Sequence, residues 1–507
     1  MTQMSSRGIL RGLLKSAFLF LCLRFQVAAM RSSIGHELGA VLILSVGCFL
    51  LGAWRRRDAL FAFTLFVPLL VGLDQTRLMD CASATTLCFS ALWIGIQASL
   101  FGAQFGFPGL QRPIVSHRDS FREAKPLLLS VHILIAAVVI SLCWQLLRHE
   151  RDDSFWLLLT TRPVFGYGDP WYFLTASFVW LLGLNYFLEL GSEFGSEEVA
   201  SDGTNSNRTS ISSWVAPVVG TYCGTIVIFF LFQFFVHIPE GWAGAGFQSP
   251  FEDISSFGSI CVLLLMYVLA VLVERRTPTF WTVITAIFLI CMVVASWSRG
   301  AWLAAVIFGG VLALFHFGPR GRTVILGTAI AIVALVNLSL RLPVWENQPY
   351  LSRLASLVRI ENPENKDSGR IPIYRKAVRM IAERPLVGFG IGSFYRTSTS
   401  YADKDDIYGA KPDFAHNVYL EIAAEEGLPI AAVFAFLTMY LLKRGIVLSR
   451  RGGTPHSNGN ATYASALGLT LSVGAYLQTQ LTANSLNVYP SNQFLFWFLA
   501  AVIAFWR

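Results

Sequence analysis

What most constrains this 507-residue chain is an alternation of apolar runs, each about as long as a bilayer is thick, with short clusters of charge. A helix needs roughly 17 to 25 mostly apolar residues to cross the hydrocarbon. Soluble domains carry roughly 25% charged residues, whereas here the share is 14%, against 54% hydrophobic. Lipid is therefore the solvent. The predicted fold is all-α, a polytopic transmembrane helix bundle of 13–14 spans with one large extracytoplasmic helical loop. Thirty-nine Lys+Arg against 31 Asp+Glu leave a net charge of +8. In a membrane protein that excess anchors cytoplasmic loops, and nucleic-acid binding is not expected.

The spans are predicted near residues 38–54, 59–74, 81–102, 127–147, 171–190, 214–236, 255–273, 279–298, 301–317, 323–340, 428–442, 461–481 and 493–506. Arg55 to Arg57, Arg118 to Lys125, Arg275-Arg276, Arg320 to Arg322 and Lys443 to Arg451 are the positive clusters. Each lies an even number of spans from the others, so one side, the cytoplasm, takes them all. Residues 12–30 are expected to form an uncleaved first span or an interfacial helix, because Arg24 interrupts the apolar stretch and no small-residue cleavage site follows. The eight cysteines lie within or beside apolar segments without metal-ligand spacing, and read as small apolar residues between helices.

The same parity places the polar stretch 341–427 outside. This gives three expected regions: amino-terminal helices over 1–340, a large periplasmic loop over 341–427, and carboxy-terminal helices over 428–507. A loop of about 85 residues far exceeds the usual roughly 4 to 6, and loops of that length are mostly functional. Within it, Ile371 to Glu383 has helical periodicity, with Ile373, Ala377 and Ile381 on one stripe and Arg375, Lys376 and Arg379 on another. Pro385 ends that helix. A second helix is predicted over Phe414 to Glu426, with Asp413 as N-cap, Gly427 as stop and Pro429 in the first turn of the next span.

Transporters keep ionisable residues inside their spans, and this chain has almost none there; His132 reads as a packed neutral histidine. Attention moves to the outer edge. Between Arg353 and Arg396 stand nine Lys+Arg against four Asp+Glu, on the side where positive charge is disfavoured. They form either a solvated loop surface or an anion site, for which arginine's planar fork suits phosphate. Arg299, in Ser298-Arg299-Gly300, sits in a tight hairpin between two spans on that same face. His416 stands near a helix start, with Glu421 and Glu425 beyond it; it is a candidate general base whose protonation a carboxylate neighbour sets, or else a polar residue that pins the loop. Gly388-Phe389-Gly390-Ile391-Gly392 lacks dinucleotide-fingerprint spacing and reads as a tight turn.

Four pieces in order make the chain resemble the O-antigen ligase and polymerase superfamily of bacterial membrane glycosyltransferases. They are Ser298-Arg299-Gly300; Gly369-Arg370 with Tyr374 and Ala377; Met380-Ile381 leading to Arg384-Pro385-Leu386-Val387-Gly388-Phe389-Gly390; and His416-Asn417 leading to Glu426-Gly427. They cover about residues 290–445. The resemblance implies an undecaprenyl-diphosphate-linked glycan donor, a lipid A-core or glycan acceptor, and an inner-membrane enzyme whose site faces the periplasm. It assigns Arg299 and Arg370 to the diphosphate and His416 to acceptor activation. Arg375 and Arg379 are the further candidates for the donor, and Asn417, Glu421 and Glu425 for support. Family members often carry an arginine in an earlier outer loop, but Gly246 to Asp253 here has acids instead.

The reaction follows from these parts. An anomeric C–O–P bond breaks, charge grows on a polyprenyl diphosphate, and fixed cations stabilise it, while a base takes the proton of the attacking hydroxyl. A diphosphate leaving group needs no nucleotide or metal in principle, so no cofactor and no metal are expected. Ligation onto lipid A-core is the first reading and polymerisation of repeat units the second. A membrane transporter without transferase activity is the reading from another class.

Overall fold

The computed structural model describes residues 15, 18–19, 21–30, 36–54, 56–75, 84–104, 120–149, 172–194, 211–236, 254–274, 279–316, 323, 370–402, 413–451, 461–483, 486 and 490–505. Among these the chain is all helix, turn and short connection, with no strand. The helices are α1 His36–Trp54, α2 Arg56–Gln75, α3 Ala84–Gln104, α4 Ser120–His149, α5 Tyr172–Phe194, α6 Ile211–Val236, α7 Ile254–Glu274, α8 Phe280–Ala295 and α9 Arg299–His316. After them come α10 Arg370–Glu383, α11 Phe394–Thr397 with a 3₁₀ turn Ser398–Tyr401, α12 Val418–Glu426, α13 Leu428–Arg451, α14 Ala461–Thr479 and α15 Pro490–Phe505. Twelve of the thirteen predicted spans fall on helices; the thirteenth, 323–340, lies outside the described residues but for its first. Among the described residues five helices, α4 to α7 and α13, are long and apolar enough to cross a membrane. This is a polytopic helical bundle.

The chain forms two compact units. One comprises Met1–Arg208, Pro372–Leu441 and Asn484–Arg507. Apolar burial alone drives little association in lipid, so helix contacts depend on close packing and interhelical hydrogen bonds. Both are present. A Cβ on Gly52 would collide with the Leu92 carbonyl, and one on Gly95 with that of Phe49, which is how α1 and α3 come backbone to backbone. Phe63, Phe89, Tyr186 and Phe494 interlock with centroids 4.9 to 6.2 Å apart. Gln26 donates to the Leu87 carbonyl at 2.9 Å and accepts from Ser45 Oγ at 2.7 Å. Its helical segment, 21–30, is thus packed against α1 and α3.

Among the described residues, an acid and a base meet within the apolar segments. Glu189 of α5 is 4% exposed, accepts from Gln97 Nε2 at 3.3 Å and lies 3.7 Å from Lys15 Nζ. His132 hydrogen-bonds through Nδ1 with the Leu128 carbonyl within its own helix at 2.5 Å. The seven described cysteines are all free thiols.

The second unit comprises Thr209–Ile371 and Leu442–Ala483. At its centre, α7 packs against α8, α9 and α14. Residues Ile260 to Leu264 and Met266 are fully buried. Gly468 and Gly474 of α14 lie close against Ala270 and Phe308.

Candidate active site

In α10 the apolar positions Ile373, Ala377 and Met380 recur at three- and four-residue spacing and are buried. They pack with Phe394, Ala415 and Ala424 into a small core under the loop. Lys376 does not share the exposed stripe expected for it. It lies three residues after Ile373 and four before Met380, which puts it on the inner face, and it is 1% exposed. Arg375 and Arg379 do face out; Arg379 Nη1 donates to the Tyr401 carbonyl at 2.9 Å. Arg370, half-exposed, opens the helix.

The glycine run is a turn, as its spacing suggested, and its backbone explains the residue type. Gly388, Gly390 and Gly392 have φ of 59°, 100° and 71°, a region costly for residues with a Cβ. A Cβ on Gly388 would also collide with the Glu425 carbonyl. The turn caps the end of α12: Phe389 N–H donates to the Ala424 carbonyl at 3.1 Å and Gly390 N–H to that of Glu425 at 2.7 Å. In return, the Glu425 carboxylate accepts from Gly392 N–H at 2.9 Å and Phe394 N–H at 2.8 Å. From α4, Ser141 Oγ accepts from Ile391 N–H at 3.0 Å, and Gln145 Nε2 donates to the Ile391 carbonyl at 2.9 Å. A polar pair four residues apart near the end of an apolar span is the sequence signal for this docking.

His416 stands in the next turn with φ 48°, uncommon for any residue with a Cβ. Its Nε2 lies 3.2 Å from Asp413 Oδ1. That corrects two expectations. Asp413 is the carboxylate partner, in place of Glu421 or Glu425, and the N-cap is Asn417, whose Oδ1 accepts from Tyr419 N–H at 3.0 Å and Leu420 N–H at 3.1 Å. Asp413 Oδ1 also accepts from Phe414 N–H at 2.8 Å. Glu421 grips the residue before the histidine, accepting from Ala415 N–H at 3.0 Å. Gly427 ends α12 with φ 87°, and Pro429 sits in the first turn of α13, as predicted.

The electrostatics divide the acids. Burial opposes ionisation of Asp413, but hydrogen bonding and charge from His416, the Phe414 amide and the Lys376 ammonium together hold its carboxyl below the usual range. Burial, then the charge of Glu421, pushes Glu425 well up despite its two amide donors. Burial likewise lifts Glu426 to about 7, against a hydrogen bond from Ser141. An ionised acid beside an imidazole orients the ring and favours the tautomer that donates to it. With Nε2–H directed at Asp413, Nδ1 carries the lone pair that can accept a proton.

Arg299 belongs to the second unit and opens α9 after only three linking residues. Trp297, with φ 52°, makes the turn. Ser296 Oγ accepts from Ser298 N–H at 3.3 Å, Ser298 Oγ from Ala301 N–H at 3.4 Å, and Trp302 Nε1 donates to the Val293 carbonyl at 2.8 Å. Arg299 itself is half-exposed, and both its charge and the helix dipole favour anions there. The stretch Gly246 to Asp253, where an arginine was missing, lies outside the described residues.

Residues 284–435 match the O-antigen ligase family. Over that stretch the chain is similar to an O-antigen ligase domain. That domain takes in the Arg299 hairpin, α10, the glycine turn and the His416 loop, nearly the same stretch that the four sequence pieces marked. That likeness supports glycan transfer of the ligase or polymerase type in general. Among curated proteins, no relative matches the chain.

Proposed function

We propose that this ligase-type protein transfers a glycan from an undecaprenyl diphosphate to an acceptor hydroxyl at the periplasmic face of the inner membrane, with lipid A-core as acceptor. The observation that carries this reading is His416 held against Asp413 in a left-handed turn, within the ligase domain. The acceptor hydroxyl gives its proton to His416 Nδ1 as its oxygen attacks the anomeric carbon, and Asp413 stabilises the imidazolium that forms. Arg299 and Arg370 offer bidentate donors to the diphosphate as it leaves, with Arg375 and Arg379 adding positive charge. Asn417, Glu421 and Glu425 hold the backbone on either side of the base. The docking of the 385–427 stretch on Ser141 and Gln145, near the end of α4 remote from its basic start, supports an outward-facing loop.

His416→Gln in purified protein tests the base. The variant should transfer about 10² to 10⁴ slower than wild type. Near wild-type transfer by His416→Gln would end the proposal. Deletion in the host separates the acceptors: undecorated lipid core with unused long chains marks a ligase, and single repeats on the core mark a polymerase.

A further inference from the structure

Between α10 and the glycine turn, the chain makes a short knuckle, Pro385-Leu386-Val387, whose two aliphatic side chains are 71% and 76% exposed. The exposure is held by the backbone. Gly388 N–H donates to the Arg384 carbonyl at 3.1 Å, closing the turn, and Leu428 N–H donates to the Pro385 carbonyl at 2.8 Å. A Cβ on Gly427 would collide with the Leu386 carbonyl, so the knuckle lies against the start of α13. The Arg384 guanidinium sits 4.4 Å from the centroid of the Phe389 ring and steadies the base of the knuckle.

What covers these side chains follows from α13. It is a candidate span with only 28% of its apolar window buried. Its outward residues, Leu428 at 49%, Phe436 at 45% and Met439 at 63% exposed, form a stripe at helical spacing. Such a stripe on an apolar candidate span suits contact with lipid, and it starts at the residue bonded to Pro385. The apolar surface therefore continues from a lipid-facing helix onto the knuckle. Leaving two large aliphatic side chains in water is unfavourable when hydrocarbon is adjacent.

We propose that Leu386 and Val387 insert among the acyl chains of the bilayer beside the first turn of α13 and hold the ligase loop at the membrane surface. The link to the chemistry is short. The knuckle leads into Gly388–Phe394, which Glu425 and the end of α12 clamp, and α12 begins two residues after His416. Insertion thus fixes how far His416 stands from a donor whose diphosphate lies at the bilayer surface. That consequence rests on the proposed function; insertion itself does not.

Val387→Cys, in full-length protein otherwise free of cysteine, labelled with a polarity-sensitive fluorophore and reconstituted in phosphatidylcholine vesicles, tests insertion without any transfer assay. Ser400→Cys, at an exposed position of the 3₁₀ turn, is the control. The Val387 label should emit to the blue, resist aqueous iodide, and be quenched by lipids carrying a shallow acyl nitroxide, while the Ser400 label does the reverse. Iodide quenching at Val387 equal to that at Ser400 would overturn the proposal. So would a dry label that nitroxide lipids fail to quench, since a second copy or another part of the chain would then be the cover. Leu386→Asp with Val387→Asp should leave folded protein unchanged, because neither side chain is buried, and should raise KM for a membrane-borne donor at least about fivefold with little change in kcat. Insertion without that KM change would keep the anchor and remove its role in transfer.

Discussion

Two turns of this molecule are built to one plan and held in opposite ways. At Trp297-Ser298-Arg299, a left-handed residue is followed by a capping serine and then the first residue of α9; at His416-Asn417-Val418, a left-handed residue is followed by a capping asparagine and the first residue of α12. The bonds described for the first turn all come from within nine residues, and its left-handed tryptophan is 9% exposed. The second has its own Asp413, but it is also gripped by Glu421, lies over a core supplied by α10, and keeps its histidine side chain 34% exposed. The same backbone device plugs a hairpin in one place and presents a base in the other. The hairpin positions a charge in a turn packed against Gly258 and Thr482, whereas the histidine turn rests on α10 and on two acids and leaves its side chain part-exposed.

The largest expected difference is in activity. Arg299→Ala should cut transfer by about 10² to 10³, the loss typical of one preorganised donor at a developing anion, with folded protein at wild-type level. Arg299→Lys should recover only part, because an ammonium cannot copy the planar fork. Full transfer by Arg299→Ala at matched protein levels would remove the hairpin from the mechanism and leave it a structural turn.

The distant support of the histidine turn can be removed at Lys376. Lys376 is 1% exposed and its charge acts on Asp413, which is part-exposed, so losing that charge costs about 1 kcal/mol. Lys376→Met should therefore raise hydrogen exchange at the Ala415 amide by about fivefold. Lys376→Arg, which keeps the charge, should do much less. Unchanged protection in Lys376→Met would show that the apolar core alone holds the turn.

How much of this was legible follows the same division. The helices, the Arg299 hairpin, the end of α10 at Pro385, the glycine turn and the stop at Gly427 depend on period, proline and glycine, so one sequence window contains each cause. Lys376 was misplaced because charge suggested solvent, although its spacing from Ile373 and Met380 put it inward. Acids commonly cap helices, which points in sequence to Asp413; only the fold shows that Asn417 does so and that Asp413 meets His416. Ser141 and Gln145 lie some 250 residues from Ile391, and no local pattern names that partner.

Acidity gives a third contrast. Glu426 has its carboxyl raised to about 7 by burial, above an unfolded value near 4.3. Between those two pH values, the docked loop binds more protons than the undocked one, so docking on α4 is fully supported at low pH and weakens as pH rises through about 7. The whole effect is at most about 4 kcal/mol, at 1.36 kcal/mol per unit. Limited proteolysis of the 385–427 stretch should accelerate from pH 6 to pH 8 in wild type and stay level in Glu426→Gln. The local Arg299 hairpin should show no such dependence. Equal pH response in both proteins would assign the weakening to another group.

The smallest effect separates the turns most cleanly, because it alters only their caps. Replacing an N-cap by alanine costs about 0.5 to 2 kcal/mol. Asn417 Oδ1 accepts two amides at 3.0 and 3.1 Å, while Ser298 Oγ accepts one at 3.4 Å, a length at which little is gained. Asn417→Ala should therefore cost about 1 to 2 kcal/mol, read as faster exchange of the Tyr419 and Leu420 amides. Ser298→Ala, which keeps its shape against Gly258, should cost less than about 0.5 kcal/mol at Ala301. Transfer should follow: Asn417 shares a peptide bond with the base, so a frayed α12 spreads the positions His416 can take and slows transfer several-fold. The hairpin retains its Trp302 bond to Val293 when Ser298 is changed, so Arg299 stays where it was. Equal costs at the two caps would mean that the His416 turn is held as locally as the hairpin, and that the grip of Glu421 and of the α10 core adds nothing to it.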